Sequence, residues 1–358
     1  MKRHNYLYDR ICDLENVRAA HKKASRGKAH YREVVKVDAR RHRMLPELCD
    51  MLKDMAFVTS PYSVFIKRGR KDRVIHKLPY YPDRIVHHAI MNVIEPIWAK
   101  TFIRDTYASV PGRGLHDGVR RIKTFLKNPT DTRYCLKIDV KKFYPSVDNA
   151  ILKQVIRKKI KCRRTLSLLD GIIESEKGVP IGNYLSQYLA NLYLSDFDHW
   201  IKETKKIRHY GRYCDDMVFL GPDKTALHQL KRAAGDFLAE TRGLNIKENW
   251  QVFPVSGRGV DFLGYVFRHG HTRLRKSIVM RFKQKVRRIK KLSGRLPATQ
   301  VINTLMSYYG WFLHADTGPA LWNKYVDAEV RQIAETSCRE KNIKNPFIVG
   351  GPHAASNA

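Results

Sequence analysis

Two apolar segments of this chain break off in carboxylates. Residues 134–140 read YCLKIDV, a short apolar run that closes on Asp139. Residues 207–221, IRHYGRYCDDMVFLG, read as strand, tight turn and strand, with the turn at Cys214, Asp215 and Asp216. Short apolar runs bounded by turn signals are the pattern of strands buried in a sheet. If the hairpin pairs beside the first strand, three carboxylates converge. Such a cluster repels itself and needs a cation. Oxygen ligands without Cys or His suit Mg²⁺, with Mn²⁺ as its substitute. Two such ions about 4 Å apart stabilise the attacking and leaving oxygens of phosphoryl transfer. An Asp-Asp pair at a hairpin tip is also an ordinary turn, so order and surroundings must decide.

The surroundings are basic. Lys and Arg total 68 against 34 Asp and Glu, a net charge of +34 on 358 residues. Charged residues make up 28%, an average share. The sign is therefore the anomaly, and it points to a polyanionic partner, nucleic acid first. Hydrophobic residues reach 43%, which excludes wholesale disorder. The apolar runs are too short for a membrane span, and the first residues lack the apolar core of a secretory signal. A cytoplasmic setting is expected, with no membrane partner. Six scattered cysteines form no CxxC pair, so disulfides and structural zinc are not expected. His87-His88, in an apolar helical pattern, reads as a packed or surface pair rather than a metal site.

The periodicities give an α+β chain. Residues 1–54 are a basic, helix-leaning extension, with nine Lys/Arg between His21 and Arg43. That run is either a solvated helix face or a phosphate contact. Residues 57–79 read as a β-hairpin with its loop at 67–72, and 82–102 and 113–126 as helices. Residues 148–173 are helical and basic, 178–182 a turn, and 184–204 one long amphipathic helix. A helix over 225–242 ends at Gly243, followed by strands at 250–255 and 260–267. Residues 268–295 hold twelve Lys/Arg and no acid, mostly helical, and helices at 301–312 and 320–340 follow.

In this order the blocks resemble those of the reverse transcriptases, over roughly residues 55–270. The resemblance implies a right-hand polymerase fold. Fingers would span 55–133. The palm would span 134–267, with an antiparallel sheet and a fingers-like helical insertion at about 150–182. A basic helical thumb would span 268–345, with a flexible tail at 346–358. KDRVIHKLP resembles the fingers block, which implies triphosphate contacts at Lys71 and Arg73, with Lys67 beside them. LKIDVKKFYPSVD resembles the first palm motif. It implies metal ligands at Asp139 and the Val140 carbonyl, backbone amides of Lys142 and Phe143 toward the triphosphate, and Tyr144 as an aromatic gate against a ribose 2′-hydroxyl. RYCDD resembles the motif that supplies Asp215 and Asp216, as catalytic residues and metal ligands with Asp139. LNIKENW stands where a lysine approaches the leaving pyrophosphate, here Lys247. DFLGY resembles the primer grip, Phe262, Leu263, Gly264 and Tyr265. The thumb charge would act through phosphates without reading sequence.

One block narrows the resemblance. GVPIGNYLSQ carries Ile181 before Gly182 and ends in Ser186-Gln187, where many retroviral and group II intron enzymes have Gln before the Gly and Ser-Pro at the end. This pattern, with VDFLGYVF followed by TRLRK and the compact length, resembles the reverse transcriptases of diversity-generating retroelements. Such enzymes, bacterial or phage-encoded, copy a template-repeat RNA into cDNA with errors at template adenines. The resemblance implies dNTPs, a template RNA with its RNA/DNA duplex, and an accessory variability protein oligomer as partners. Ile181, with Gly182 and Gln187, would line the incoming nucleotide. An apolar Ile there removes hydrogen-bonding capacity, so mispairs meet less discrimination. Two alternatives stay open: a defence-associated or other bacterial reverse transcriptase of retron or abortive-infection type, and a non-catalytic RNA-binding protein on a polymerase fold. About 90 residues follow the primer grip, enough for a thumb and no further enzyme.

Overall fold

The computed structural model describes residues 2–69 and 72–342. Among these residues nine strands form three sheets within a mostly helical chain. β1 (Ser63–Lys67) and β2 (Arg73–Lys77) form an antiparallel hairpin in which Lys67 faces Arg73. β3 (Tyr134–Asp139), β4 (His209–Tyr213), β5 (Asp216–Gly221) and β6 (Gln251–Pro254) form a sheet in the order β4-β5-β3-β6. β7 (Val260–Phe262), β8 (Tyr265–Arg268) and β9 (His271–Leu274) form an antiparallel three-stranded sheet. The hairpin read at 207–221 is therefore present. So is its placement beside the strand that ends at Asp139.

The chain divides into two compact units. The first comprises Met1–Gly114, Lys137–Met217 and His228–Trp250. Helix Leu14–Ser25 buries Val17, Ala20 and Ala24, spaced three and four apart on one face. It lies against helix Ile85–Ala99, where the Asn16 Nδ2 donates to the Ala89 carbonyl at 3.0 Å. Of the nine cations between His21 and Arg43, all but Lys28 are exposed. His87 and His88 are both buried, and the His88 ring stacks on Tyr184 with centroids 3.8 Å apart.

The second unit comprises Leu115–Leu136, Val218–Leu227 and Gln251–Ala358. Helix Lys276–Lys291 buries Ile278, Phe282, Val286 and Ile289 along one face, which leaves its many Lys and Arg on the other. Phe282 stacks on Trp322 at 5.3 Å and packs on Phe312 at 4.8 Å. Truncating this ring to Ala would cost about 3–5 kcal/mol.

Four elements differ from the sequence reading, each for a local reason. The single helix expected over 184–204 is three segments, Ser186–Tyr193, Ser195–His199 and Trp200–Thr204. At the first break the Ser195 hydroxyl bonds back to the Leu192 carbonyl at 2.7 Å, a competition that weakens helices. The strand expected over 260–267 folds back at Leu263-Gly264, whose φ values of 52° and 82° are those of a two-residue hairpin turn. Residues 271–274 form a strand rather than the start of the basic helix. There Thr272 and Leu274 are buried while Arg273 is exposed, a period of two hidden by the charge around it. The helix expected over 320–340 is two, Gly318–Tyr325 and Ala328–Glu340, because the Asp327 carboxylate caps the second by accepting from the Val330 amide. Lys71 and the tail 346–358 lie outside the described residues.

Candidate active site

β3 is anchored by Cys135, Leu136 and Ile138, all essentially buried. Past its end, Val140 bridges Ile246 antiparallel, the Lys141 amide donates to Asn245, and the Lys247 amide donates to the Asp139 carbonyl at 2.8 Å. This pairing carries the Lys247 side chain to Asp139, and the two form an ion pair. On the neighbouring hairpin, Met217, Val218, Phe219 and Leu220 are buried, which holds β5 and thereby the turn Cys214-Asp215. Burial, then the nearby Asp139 carboxylate, push the Asp215 carboxyl up to about 6. Lys247 pulls in the opposite direction.

The third carboxylate stands differently. Asp216 opens β5, and its Oδ1 lies 3.4 Å from Lys137 Nζ. Among the described residues no three His, Cys, Asp or Glu side chains are gathered to hold a metal ion. The structure thus brings two of the three aspartates together instead of converging all three, with Lys247 at Asp139 and Lys137 at Asp216. The remaining pair still fits a hard cation. Two neighbouring carboxylates offer an oxygen-only donor set of the kind that suits a hard divalent ion.

Sequence reading missed Lys137. The signal was present, since residues two apart on a strand share a face, so the LKID run places Lys137 beside Asp139. It also missed the contact of Tyr144 with the turn, where the Tyr144 hydroxyl donates to Cys214 Sγ at 3.8 Å. Tyr144 is half-buried, and that burial pushes its phenol well above the usual range.

Two further segments close around this strand end. The Val179 amide donates to the Tyr144 carbonyl at 2.9 Å. The His76 amide, on β2, donates to the Ile181 carbonyl at 2.8 Å. Gly182 sits at φ +129°, and a Cβ there would lie 2.6 Å from the His76 carbonyl oxygen, so only Gly fits. Gln187 bonds the Ser109 hydroxyl through its side chain. Lys142 is exposed in a left-handed conformation at φ 46°, followed by Phe143, which is buried. Lys67 and Arg73 face each other on the exposed hairpin. Lys28, Arg32, Lys77 and Arg84 line a cavity of about 410 Å³ with Gly182 and Tyr184 on its wall. Burial, then repulsion from Arg84, lower the Lys28 pKa.

The expected primer grip belongs to the second unit. Phe262, Leu263, Gly264 and Tyr265 are all buried, and the Tyr265 hydroxyl donates to the Trp311 carbonyl at 2.9 Å. Their side chains build the hairpin, which leaves its backbone for any outward contact.

Comparison with known proteins agrees with this geometry. The family model described as reverse transcriptase (RNA-dependent DNA polymerase) matches residues 66–267. The chain is 29% identical over 194 residues to Protein YkfC of Escherichia coli (strain K12), covering 50% of this chain and 46% of that protein. It is 24% identical over 175 residues to the group II intron-encoded protein LtrA of Lactococcus lactis subsp. cremoris, covering 45% of this chain and 28% of that protein. Each match spans less than half the length of the relative. Among solved structures, telomerase from Candida albicans in complex with a TWJ fragment of telomeric RNA superposes with a TM-score of 0.49 and 12% identity, covering 80% of this chain and 67% of that one. No helix among the described residues is long and apolar enough to cross a membrane. The family match takes in more than half of the chain and holds Asp139, Asp215, Tyr144 and Ile181 together, so the fold is that of the right-hand polymerases and the chain belongs to the reverse transcriptase family.

Proposed function

We propose that this chain is an RNA-directed DNA polymerase that copies a template-repeat RNA into error-prone cDNA for a diversity-generating retroelement. The observation that carries the polymerase reading is the Asp139–Asp215 pair at the meeting of β3 and the β4–β5 turn. Asp139 and Asp215, with the Val140 carbonyl, would hold Mg²⁺, which supplies charge stabilisation for phosphoryl transfer. The chain's own groups divide the rest of the work. Tyr144 stands against the Asp215 turn, where a ring excludes a 2′-hydroxyl. Arg73 and Lys67, with Lys71, supply cations for a triphosphate, and a guanidinium fork suits phosphate oxygens. Lys247 offsets charge at Asp139 and would be the cation that meets a departing pyrophosphate. In the cavity beside Gly182, Lys28, Arg32 and Arg84 would supply cations to the phosphates of an RNA strand, while Lys77 is paired with Glu33.

The retroelement reading rests on Ile181. It lies next to Gly182, which sits close against the β2 backbone, and its carbonyl accepts from the His76 amide, so Ile181 would present an apolar side chain from a backbone held on β2. An apolar wall imposes little penalty on a mispair that leaves polar groups unmatched. The same reading supplies the partners, a structured template RNA and a small oligomeric accessory variability protein, in a bacterial or phage setting.

Primer extension on a defined RNA template with Mg²⁺ and dNTPs, followed by product sequencing, tests both levels. DNA rich in errors opposite template adenine supports the full reading. Faithful DNA keeps the polymerase and removes the mutagenic assignment. Absence of product, with RNA and accessory protein supplied, overturns the polymerase.

A further inference from the structure

The largest fully buried charged side chain among the described residues of the first unit is Arg212, on β4 and three residues before Asp215. Its side chain and that of Asp198 are both fully buried. The guanidinium Nε donates to Asp198 Oδ1 at 2.8 Å, and Nη2 pairs with Oδ2. Nη1 reaches the other way, to Asn191 Oδ1 at 3.1 Å and to the Cys214 carbonyl at 3.0 Å. Asp198 is in turn held by the Tyr210 hydroxyl at 2.6 Å and the Thr106 hydroxyl at 3.2 Å. The Arg212 backbone is clamped as well, its amide on the Asp105 carbonyl and its carbonyl on the Tyr107 amide.

A buried ion pair seldom stabilises more than apolar packing of equal volume. Its retention here has a local correlate. Cys214 holds a left-handed φ of 55°, which a non-glycine residue adopts only under constraint. The peptide that follows it carries Asp215. Arg212 is bonded to the carbonyl of that peptide.

We propose that Arg212, braced by Asp198 and Asn191, is a positioning residue. It fixes the Cys214–Asp215 peptide and so sets where the Asp215 carboxylate stands relative to Asp139. This inference rests on the polymerase reading of the aspartates, but its test does not depend on activity alone. Arg212→Lys keeps the buried charge and loses the fork that spans Asp198 and Cys214. Tyr210→Phe removes a different bond to the same Asp198 carboxylate and leaves the link to Cys214 intact. Both variants are measured for melting temperature, for Mn²⁺ affinity by electron paramagnetic resonance, and for kcat and KM with dNTP.

If Arg212 positions the turn, Arg212→Lys lowers Mn²⁺ affinity about tenfold and kcat about 100-fold with KM nearly unchanged. Tyr210→Phe then melts earlier but keeps both values within about twofold of wild type. Should Arg212→Lys fail to fold, Asn191→Ala, which removes one of the two acceptors of Nη1, is read by the same criteria. Wild-type Mn²⁺ affinity and kcat in the folded Arg212 or Asn191 variant would overturn the proposal, as would equal losses in Tyr210→Phe. A wild-type chain that binds Mn²⁺ but makes no DNA would refute the polymerase reading, while the Mn²⁺ comparison would still decide the role of Arg212.

Discussion

Two hairpin turns of this molecule share a backbone device and differ in everything that holds it. The β4–β5 turn places Cys214 at φ 55°, and the β7–β8 turn places Leu263 at φ 52° and Gly264 at φ 82°. The first is held by polar groups, with Arg212 on the Cys214 carbonyl and Tyr144 on the Cys214 thiol. It ends in a carboxylate that meets another carboxylate. The second is held chiefly by packing, with the Arg275 amide on the Gly264 carbonyl at 2.9 Å and the Tyr265 hydroxyl on the Trp311 carbonyl beside it. A Cβ on Gly264 would lie 2.4 Å from the Trp311 ring and 2.8 Å from Ile278. A turn that presents charge needs directional bonds, because a misplaced carboxylate loses its partners. A turn that presents only backbone needs shape, which close-packed rings supply.

The comparison predicts opposite failures. Asp215→Asn should abolish nucleotide incorporation by about 10³-fold or more, several kcal/mol of lost charge stabilisation. It should leave the melting temperature unchanged or raised, since it removes a self-repelling carboxylate. Single-turnover primer extension beside a thermal melt checks this, and a destabilised Asp215→Asn with partial activity would erase the distinction. Gly264→Ala should do the reverse. It forces a side chain into Trp311 at a positive φ, a cost of about 3 kcal/mol. Urea titration measures that loss, and a Gly264→Ala chain as stable as wild type would mean that packing does not hold the second turn.

The first turn was far more legible in the sequence than the second. Asp215 stands out because acids are scarce, because it follows a strand-like run, and because the apolar run MVFLG follows the Asp pair. Periodicity also gave the strand that ends at Asp139. What it did not give was the register between separate segments. The pairing of 245–247 with 139–141 brings Lys247 to Asp139, and nothing in either stretch states that alignment. The contact of Ile181 with β2 is of the same kind, a backbone bond between segments about a hundred residues apart. Tertiary bonds also overrode local pattern. The helix over 184–204 breaks at Ser195, and Asp198 turns into the core toward Arg212. The fold at Leu263-Gly264 was hidden because residues 260–267 are apolar on both sides of the turn, so no change of period marks it.

Tyr144 sharpens the comparison at intermediate scale, since on the proposed function it would tie the charged turn to substrate choice. Tyr144→Ala should raise ribonucleotide use relative to deoxynucleotide use by about 10- to 100-fold, the range that steric exclusion of one hydroxyl supplies. Competition between a dNTP and the matching rNTP in one reaction reads this ratio. A change smaller than threefold, with kcat for dNTP retained, would make Tyr144 a packing residue of the turn and nothing more.

The smallest expected effect concerns the apolar turn. Trp311, which backs Gly264, meets the His116 ring edge-on at 6.2 Å, and His116 lies 4.1 Å from the His314 ring. Burial, then His116, Arg120 and Lys123, push His314 down to about 4. Burial, then Arg120, lower His116 as well. Lys123 is itself paired with Asp316, 2.8 Å away, which tempers its share. A histidine depressed in the folded state stays neutral there while the unfolded chain takes up a proton below about pH 6.5. Stability is then lost as pH falls from about 6.5 toward 4. Both rings are partly exposed, so solvent screening reduces the effect to about 0.5–1 kcal/mol at pH 5. His314→Gln should flatten this loss, seen as a smaller drop in urea midpoint between pH 7 and pH 5. Parallel drops in variant and wild type would place the acid sensitivity elsewhere. A flattened profile would show that the turn held by packing carries its own titratable support, one layer behind the ring that Gly264 touches.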